Sequence, residues 1–184
     1  MRLFAAIPLP PEAQAEFTGI LRELRQLGWP VRWVSEGIPH ITLKFYGEVL
    51  PARLDVVTEA VQQAARDARG MAMRFTEIGV FPDARRPRVI WLGLDAPPAL
   101  ELLKDRVERA SVGIGFEPEG VPFRAHVTLG RVRDGQRLPP GAPARCGVVP
   151  PGRSFVARQV VLYESELTPA GPRYLPRLTV ELAG

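Results

Sequence analysis

An internal repeat constrains this chain more than any other feature. When the chain is shifted by the 86 residues that separate His40 from His126, His40-Ile41-Thr42-Leu43 falls on His126-Val127-Thr128-Leu129. Leu3–Ile7 then falls on Val89–Gly93, Pro11 on Pro97, and Phe17 and Leu21 on Leu103 and Val107. Hydrophobic matches of this kind arise between any two α+β halves. The polar matches do not: the chain has two histidines, both begin a His-x-Thr-Leu, and Thr is scarce. Each half reads strand, helix, strand, with one such motif on a late strand.

Periodicity and turn residues fill in the elements. Strands are expected at residues 2–8, Val31–Val34, Ile38–Val49, Met71–Phe81, Arg88–Leu94, Phe123–Val132, Phe155–Leu167 and Tyr174–Leu182. A turn at Thr168–Pro172 joins the last two. Helices are expected after Pro10-Pro11 up to Gly28, from Pro51 to about Arg69, and after Pro97-Pro98 up to Gly113. Residues 133–153 are rich in Pro and Gly and exclude a long helix.

Strand alternation says what the motif spacing achieves. His40 and Thr42 share one face, as do His126 and Thr128, while Ile41, Leu43, Phe45, Val127 and Leu129 take the other and are expected in the core. The two polar faces then line one cleft, a histidine from each half. Imidazole titrates near neutrality, so one histidine can accept a proton while the other donates one. In-line displacement at phosphorus needs that pair on opposite sides. The hydroxyls of Thr42 and Thr128 suit the non-bridging oxygens, and Arg131 adds a bidentate cation. On a regular strand Arg131 points the wrong way, so it must follow a bulge or the strand end. Phe45, Tyr46 and Trp33 are candidates for stacking a base. Core packing suits Phe45 better, because it is in phase with the apolar residues.

Other chemistries lack their residues. There is no metal-ligand spacing, no P-loop and no dinucleotide fingerprint, so no metal and no cofactor is expected. The lone Cys146 permits no intrachain disulfide and has no local His, which places the chain in the cytoplasm and opposes a catalytic thiol. No run of about 18 apolar residues spans a membrane, and Pro8–Glu12 interrupts what would be a signal h-region. The net charge of +4 and pI near 9.8 fit a polyanionic partner. An arginine-rich bias with only two lysines and no Asn accounts for part of that charge. Arg85, Arg86 and Arg88 read as solvated surface, and Arg124 and Arg133 as flanks of the second motif.

Pro39-His40-Ile41-Thr42-Leu43-Lys44-Phe45-Tyr46-Gly47 and Ala125-His126-Val127-Thr128-Leu129-Gly130-Arg131 resemble the paired motifs of the two-histidine phosphoesterase superfamily. Arg2–Pro8, Pro87–Gly93 and Val161–Ser165 add a likeness to its RNA 2′,3′-cyclic phosphodiesterases, also described as bacterial 2′-5′ RNA ligases. The resemblance implies one α+β domain over residues 1–184, bilobal, with pseudo-twofold lobes whose antiparallel sheets face a central cleft and whose helices lie outside. It implies metal-independent hydrolysis of RNA 2′,3′-cyclic phosphate ends, tRNA halves among them, to 2′-phosphates. His40 would be the proton donor and His126 the acceptor, an order the residues alone leave open. It also implies 2′-5′ ligation as the reverse reaction. Apart from the resemblance, a monomer is expected. Rival readings are a small cyclic nucleotide, ADP-ribose cyclic phosphate or 2′-5′ oligoadenylate as substrate, and a non-catalytic RNA-end-binding module.

Overall fold

A Pro-Pro pair opens each of the two longest helices, α1 (Pro11–Arg25) and α3 (Pro98–Gly113). A first-turn residue has no intrahelical use for its N–H, so proline costs little there, and Glu12 and Glu101 complement the helix dipole. The structure, a computed structural model, describes residues 1–35, 37–169 and 171–184. Its remaining elements are β1 (Arg2–Pro8), β2 (Val31–Trp33), β3 (His40–Glu48), α2 (Leu54–Ala65), β4 (Met71–Phe81), β5 (Val89–Asp95), β6 (His126–Val132), β7 (Ser154–Ala157), β8 (Gln159–Thr168) and β9 (Gly171–Glu181). Ala170, inside the turn expected at Thr168–Pro172, lies outside the described residues. Among the described residues no helix is long and apolar enough to cross a membrane.

The strands form one antiparallel sheet in the order β7-β4-β5-β6-β3-β1-β8-β9, with β2 also on β6. That order reads the same outward from its centre: β6-β5-β4-β7 on one side and β3-β1-β8-β9 on the other. The fold is therefore α+β with two repeated lobes. Ile41 paired with Val127 joins them. The lobes are not the two halves of the sequence. β4 follows β3 in the chain but pairs with β5, and β8 follows β6 but pairs with β1. Each lobe thus takes strands from the other half, β4 in one and β8 with β9 in the other.

The expected single strand Phe155–Leu167 is broken at Arg158, whose carbonyl accepts the Leu182 N–H at 2.8 Å. Before the break the chain pairs with β4, and after it with β1. One residue cannot bridge opposite ends of a flat sheet. The sheet must curl until its ends approach, and Gly70 N–H donates to the Ala183 carbonyl at that seam, 2.7 Å away.

One face of the sheet is covered by the helices. Phe17, Ile20, Leu21 and Leu24 of α1, with Val57 and Val61 of α2 and Leu103 and Val107 of α3, pack on Leu3, Ala5, Ile7, Ile90 and Leu92 in one core. The alternate residues of β1, Phe4 and Ala6, face the other way and join Val161 and Tyr163 in a second, smaller cluster. Both faces of β1 are buried, so the strand reads as continuously apolar.

Strand pairing corrects the repeat by one residue. Phe4 stands opposite Phe45, and Val89 opposite Arg131; Ala6 stands opposite Thr42, and Trp91 opposite Thr128. Phe4–Pro8, not Leu3–Ile7, is therefore the counterpart of Val89–Gly93. A one-residue slip exchanges the two faces of a strand, and matching hydrophobicity cannot detect it when both faces are buried.

Candidate active site

Both motif strands start later than expected, at His40 and His126, but with the expected alternation. His40 and Thr42 are half-buried and alternate with buried Ile41 and Leu43; His126 and Thr128 alternate with buried Val127 and Leu129. Then both strands skip a beat. Between Thr42 and Lys44 the pairing with β1 leaves Leu43 over, and between Thr128 and Gly130 the pairing with β5 leaves Leu129 over. These matched bulges invert the alternation beyond them. Lys44 and Gly130 turn inward, while Phe45 and Arg131 emerge on the same open face as the histidines.

The bulges decide two sequence expectations. Arg131 reaches the histidine face, as its proposed role requires. Phe45 is not a core residue: it is 60% exposed, and its ring centroid lies 5.9 Å from that of Phe4. Tyr46 takes the buried place instead, accepting a hydrogen bond from Ser111 Oγ at 3.0 Å and meeting Phe116 edge-on. Trp33 stacks on Trp29. Neither Tyr46 nor Trp33 is offered to a base.

The pair Ile41–Val127 fixes the layout of the open face. In an antiparallel register it sets His40 beside Thr128 and Thr42 beside His126. The histidines are then diagonal neighbours, roughly 7–8 Å apart at their backbone positions, a gap that accommodates one phosphate. Each is held identically. His40 Nδ1 lies 2.8 Å from the Ile38 carbonyl oxygen, and His126 Nδ1 lies 2.7 Å from that of Arg124. A carbonyl only accepts, so Nδ1 carries the hydrogen and Nε2, at the far corner of each ring, is the titrating nitrogen.

Aromatic rings wall both imidazoles. Phe4 and Tyr174 flank His40 at centroid distances of 4.9 and 5.4 Å, and Phe81 meets His126 edge-on at 5.0 Å with Trp91 beyond. Burial is the main cause that lowers the pKa of both histidines, against the raising effect of their backbone hydrogen bonds. The charge of His126 lowers His40 further, and that of Arg124 lowers His126. Arg124 itself lies over the Trp91 ring at 4.4 Å and pairs with Glu77 at 2.8 Å. Burial thus favours the neutral imidazole at both positions, and an anion between them would favour the charged one.

The five residues expected at the site all reach this face. Arg85, Arg86 and Arg88 do not belong to it; they are exposed and line a separate groove with Arg137. Among the described residues, no group of three or more His, Cys, Asp or Glu could hold a metal ion. The family model for LigT-like phosphoesterases matches the chain twice in succession, over residues 7–91 and 92–174. The chain belongs to the LigT-like phosphoesterase family.

Its relatives cover both lobes. A Methanothermobacter thermautotrophicus protein named RNA 2′,3′-cyclic phosphodiesterase is 31% identical over 176 residues, 95% of either chain. A Thermotoga maritima protein of the same name is 32% identical over 180 residues, 95% of this chain and 91% of its own. Among solved structures, TT0787 of Thermus thermophilus matches with a TM-score of 0.83 at 27% identity, covering 100% of this chain and 99% of its own. E. coli LigT complexed with 3′-AMP matches with a TM-score of 0.77 at 26% identity over 100% and 98%.

Within this LigT-like frame, sequence reasoning missed the walls of the site. Phe4, Phe81, Trp91 and Tyr174 looked like ordinary strand hydrophobes, and only register shows that they share the histidine face. One signal was available. Gly79 stands opposite Trp91, and a Cβ there would fall within the indole ring. A glycine inside an otherwise apolar strand marks such a close approach.

Proposed function

We propose that this protein is an RNA 2′,3′-cyclic phosphodiesterase in which His40 and His126 act as acid and base without a metal. The observation that carries this reading is the duplicate setting of the histidines: same face, diagonal across the lobe junction, each with Nδ1 tied to a carbonyl and Nε2 left to titrate. The names of its relatives point to the same substrate class.

Water attacks phosphorus while His126 Nε2 takes its proton. The P–O3′ bond breaks, and His40 Nε2–H protonates the departing O3′. The product is a 2′-phosphate with a free 3′-hydroxyl. Arg124 supports this order, because its charge, held over Trp91, lowers the His126 pKa and favours the neutral form a base needs. Thr42 and Thr128, beside the opposite histidines, and Arg131 at the emerging edge are suited to bind the non-bridging oxygens as charge builds there. An RNA hydroxyl entering in place of water would form a 2′-5′ bond through the same pair. The whole chain, residues 1–184, serves as one domain, a cytoplasmic monomer in this reading.

Turnover of a nucleoside 2′,3′-cyclic phosphate in EDTA, with the product isomer identified, tests the proposal. The wild type should yield one isomer, the 2′-phosphate, at a rate indifferent to chelator. His40→Ala and His126→Ala should each lose about 10²-fold or more while remaining folded. A 3′-phosphate product would reverse the geometry, and near-full turnover by His126→Ala would remove the mechanism.

A further inference from the structure

The two lobes differ where the pseudo-twofold would make them alike. Arg131 of one lobe corresponds to Phe45 of the other, since each is the first residue to emerge after the matched bulge. Across the strand pair from Arg131 stands Arg32 of β2. The corresponding place beside β3 is held by Glu117–Glu119: the Glu117 carbonyl accepts from Lys44 Nζ at 2.8 Å and Glu119 Oε1 accepts from Phe45 N–H at 3.4 Å. One end of the open face is therefore aromatic, with Phe4, Phe45 and Tyr163 in a row, and the other carries two arginines paired across β2 and β6.

Residues directly opposite in an antiparallel pair share a face, with Cβ atoms about 4.5–5.5 Å apart, and like charges so placed are destabilising. Arg32 and Arg131 are both exposed. Neither has an ion pair or side-chain hydrogen bond among the described residues. Carboxylates satisfy other arginines of this chain, Arg74 by Asp95 and Arg124 by Glu77 among them. A strand that sets two unneutralised cations side by side, one row beyond His40 and Thr128, is built for an anion. A row is two residues along a strand, about 6.6–6.8 Å. The guanidinium of Arg131 serves the reacting phosphate in the proposed mechanism, which leaves Arg32 for a second one farther out.

We propose that Arg32 binds the phosphodiester on the 5′ side of the cyclic-phosphate nucleotide, so that the RNA strand leaves the site over the Arg32–Arg131 end. The inference rests on the reading of RNA cyclic ends as substrate. It makes Arg32 a specificity residue: it separates a strand end from a free cyclic nucleotide, which has no such phosphate.

Steady-state kcat/KM for a cyclic mononucleotide and for a dinucleotide ending in a 2′,3′-cyclic phosphate tests the assignment in the wild type, Arg32→Ala and Arg32→Glu. The wild type should favour the dinucleotide by about tenfold, as a charge-assisted phosphate contact would give. Arg32→Ala should cut that preference at least fivefold and flatten its dependence on salt, and Arg32→Glu should abolish it. Neither variant should melt below the wild type, because each relieves the repulsion with Arg131. An undiminished preference in Arg32→Ala overturns the proposal. So does an equal loss on both substrates, which would move Arg32 to the reacting phosphate. Failure of the wild type to open either substrate removes the proposed activity itself, and this assignment with it.

Discussion

The only two lysines of the chain are buried together, and they support one of the two bulges that shape the site. Lys44, 2% exposed, donates to Glu108 Oε1 at 2.7 Å, and Lys104 bridges Glu108 and Glu119. Glu119 N–H returns a hydrogen bond to Glu108 at 2.9 Å. The cluster ties α3 and residues 117–119 to β3 just where Leu43 is left over. Burial alone would raise the Glu108 pKa; the hydrogen bonds from Lys104, Lys44 and the Glu119 N–H more than reverse it and hold the carboxyl at about 2. Against about 4.3 for an unperturbed Glu, this corresponds to about 3 kcal/mol of folding free energy at pH 7. A depressed carboxyl pKa means that the unfolded chain takes up the proton first. The contribution is whole above about pH 4.3 and is lost as pH falls toward 2. Glu108→Gln keeps the shape and removes the charge, leaving two buried ammonium groups without their shared anion. It should cost about 3 kcal/mol near neutrality, a fall of about 6–12 °C in Tm for a chain of this size. Urea unfolding followed by tryptophan fluorescence at pH 7, 5 and 2.5 measures this directly. The deficit should be full at pH 7 and 5 and should shrink at pH 2.5, where the wild type is itself losing the charge. A variant within about 0.5 kcal/mol of wild type at pH 7, the range of ordinary surface substitutions, would refute the reasoning. So would a deficit that stays undiminished at pH 2.5.

The pH–rate profile of kcat/KM should be a bell whose limbs belong to the histidine pair, with the acid limb below the ordinary histidine value of about 6.5, since burial lowers both. The alkaline limb of kcat should lie higher than that of kcat/KM, because a bound phosphate anion favours the imidazolium of His40; coincident limbs would contradict this. Arg131→Ala should lower kcat more than it raises KM, with Thr42→Val and Thr128→Val doing the same more mildly; a pure KM effect measured on a cyclic mononucleotide would deny them a transition-state role. Gly79→Ala should displace Trp91, and with it the wall behind His126, so that turnover falls along with thermal stability. Wild-type turnover in Gly79→Ala would show that Trp91 does not position the histidine.

The motif chemistry could be read from the sequence because it is local. Alternation on a strand fixes that His40 shares a face with Thr42, and His126 with Thr128, before any partner strand is known. The helices could be read for the same reason, since a Pro-Pro start and a 3.6-residue stripe act within one element. What lay beyond reach depends on hydrogen bonds between strands distant in the chain. The bulges at Leu43 and Leu129 exist only relative to β1 and β5, and they alone bring Phe45 and Arg131 to the open face. The exchange of β4 and β8 between lobes, and the break at Arg158, follow from which edge each strand finds. Residue pattern selects the two faces of a strand, but pairing decides which neighbours share them. The sequence by itself thus determined the two histidines and their threonines, and only the tertiary register set them diagonally across the junction of the lobes, with aromatic rings at one end and two arginines at the other.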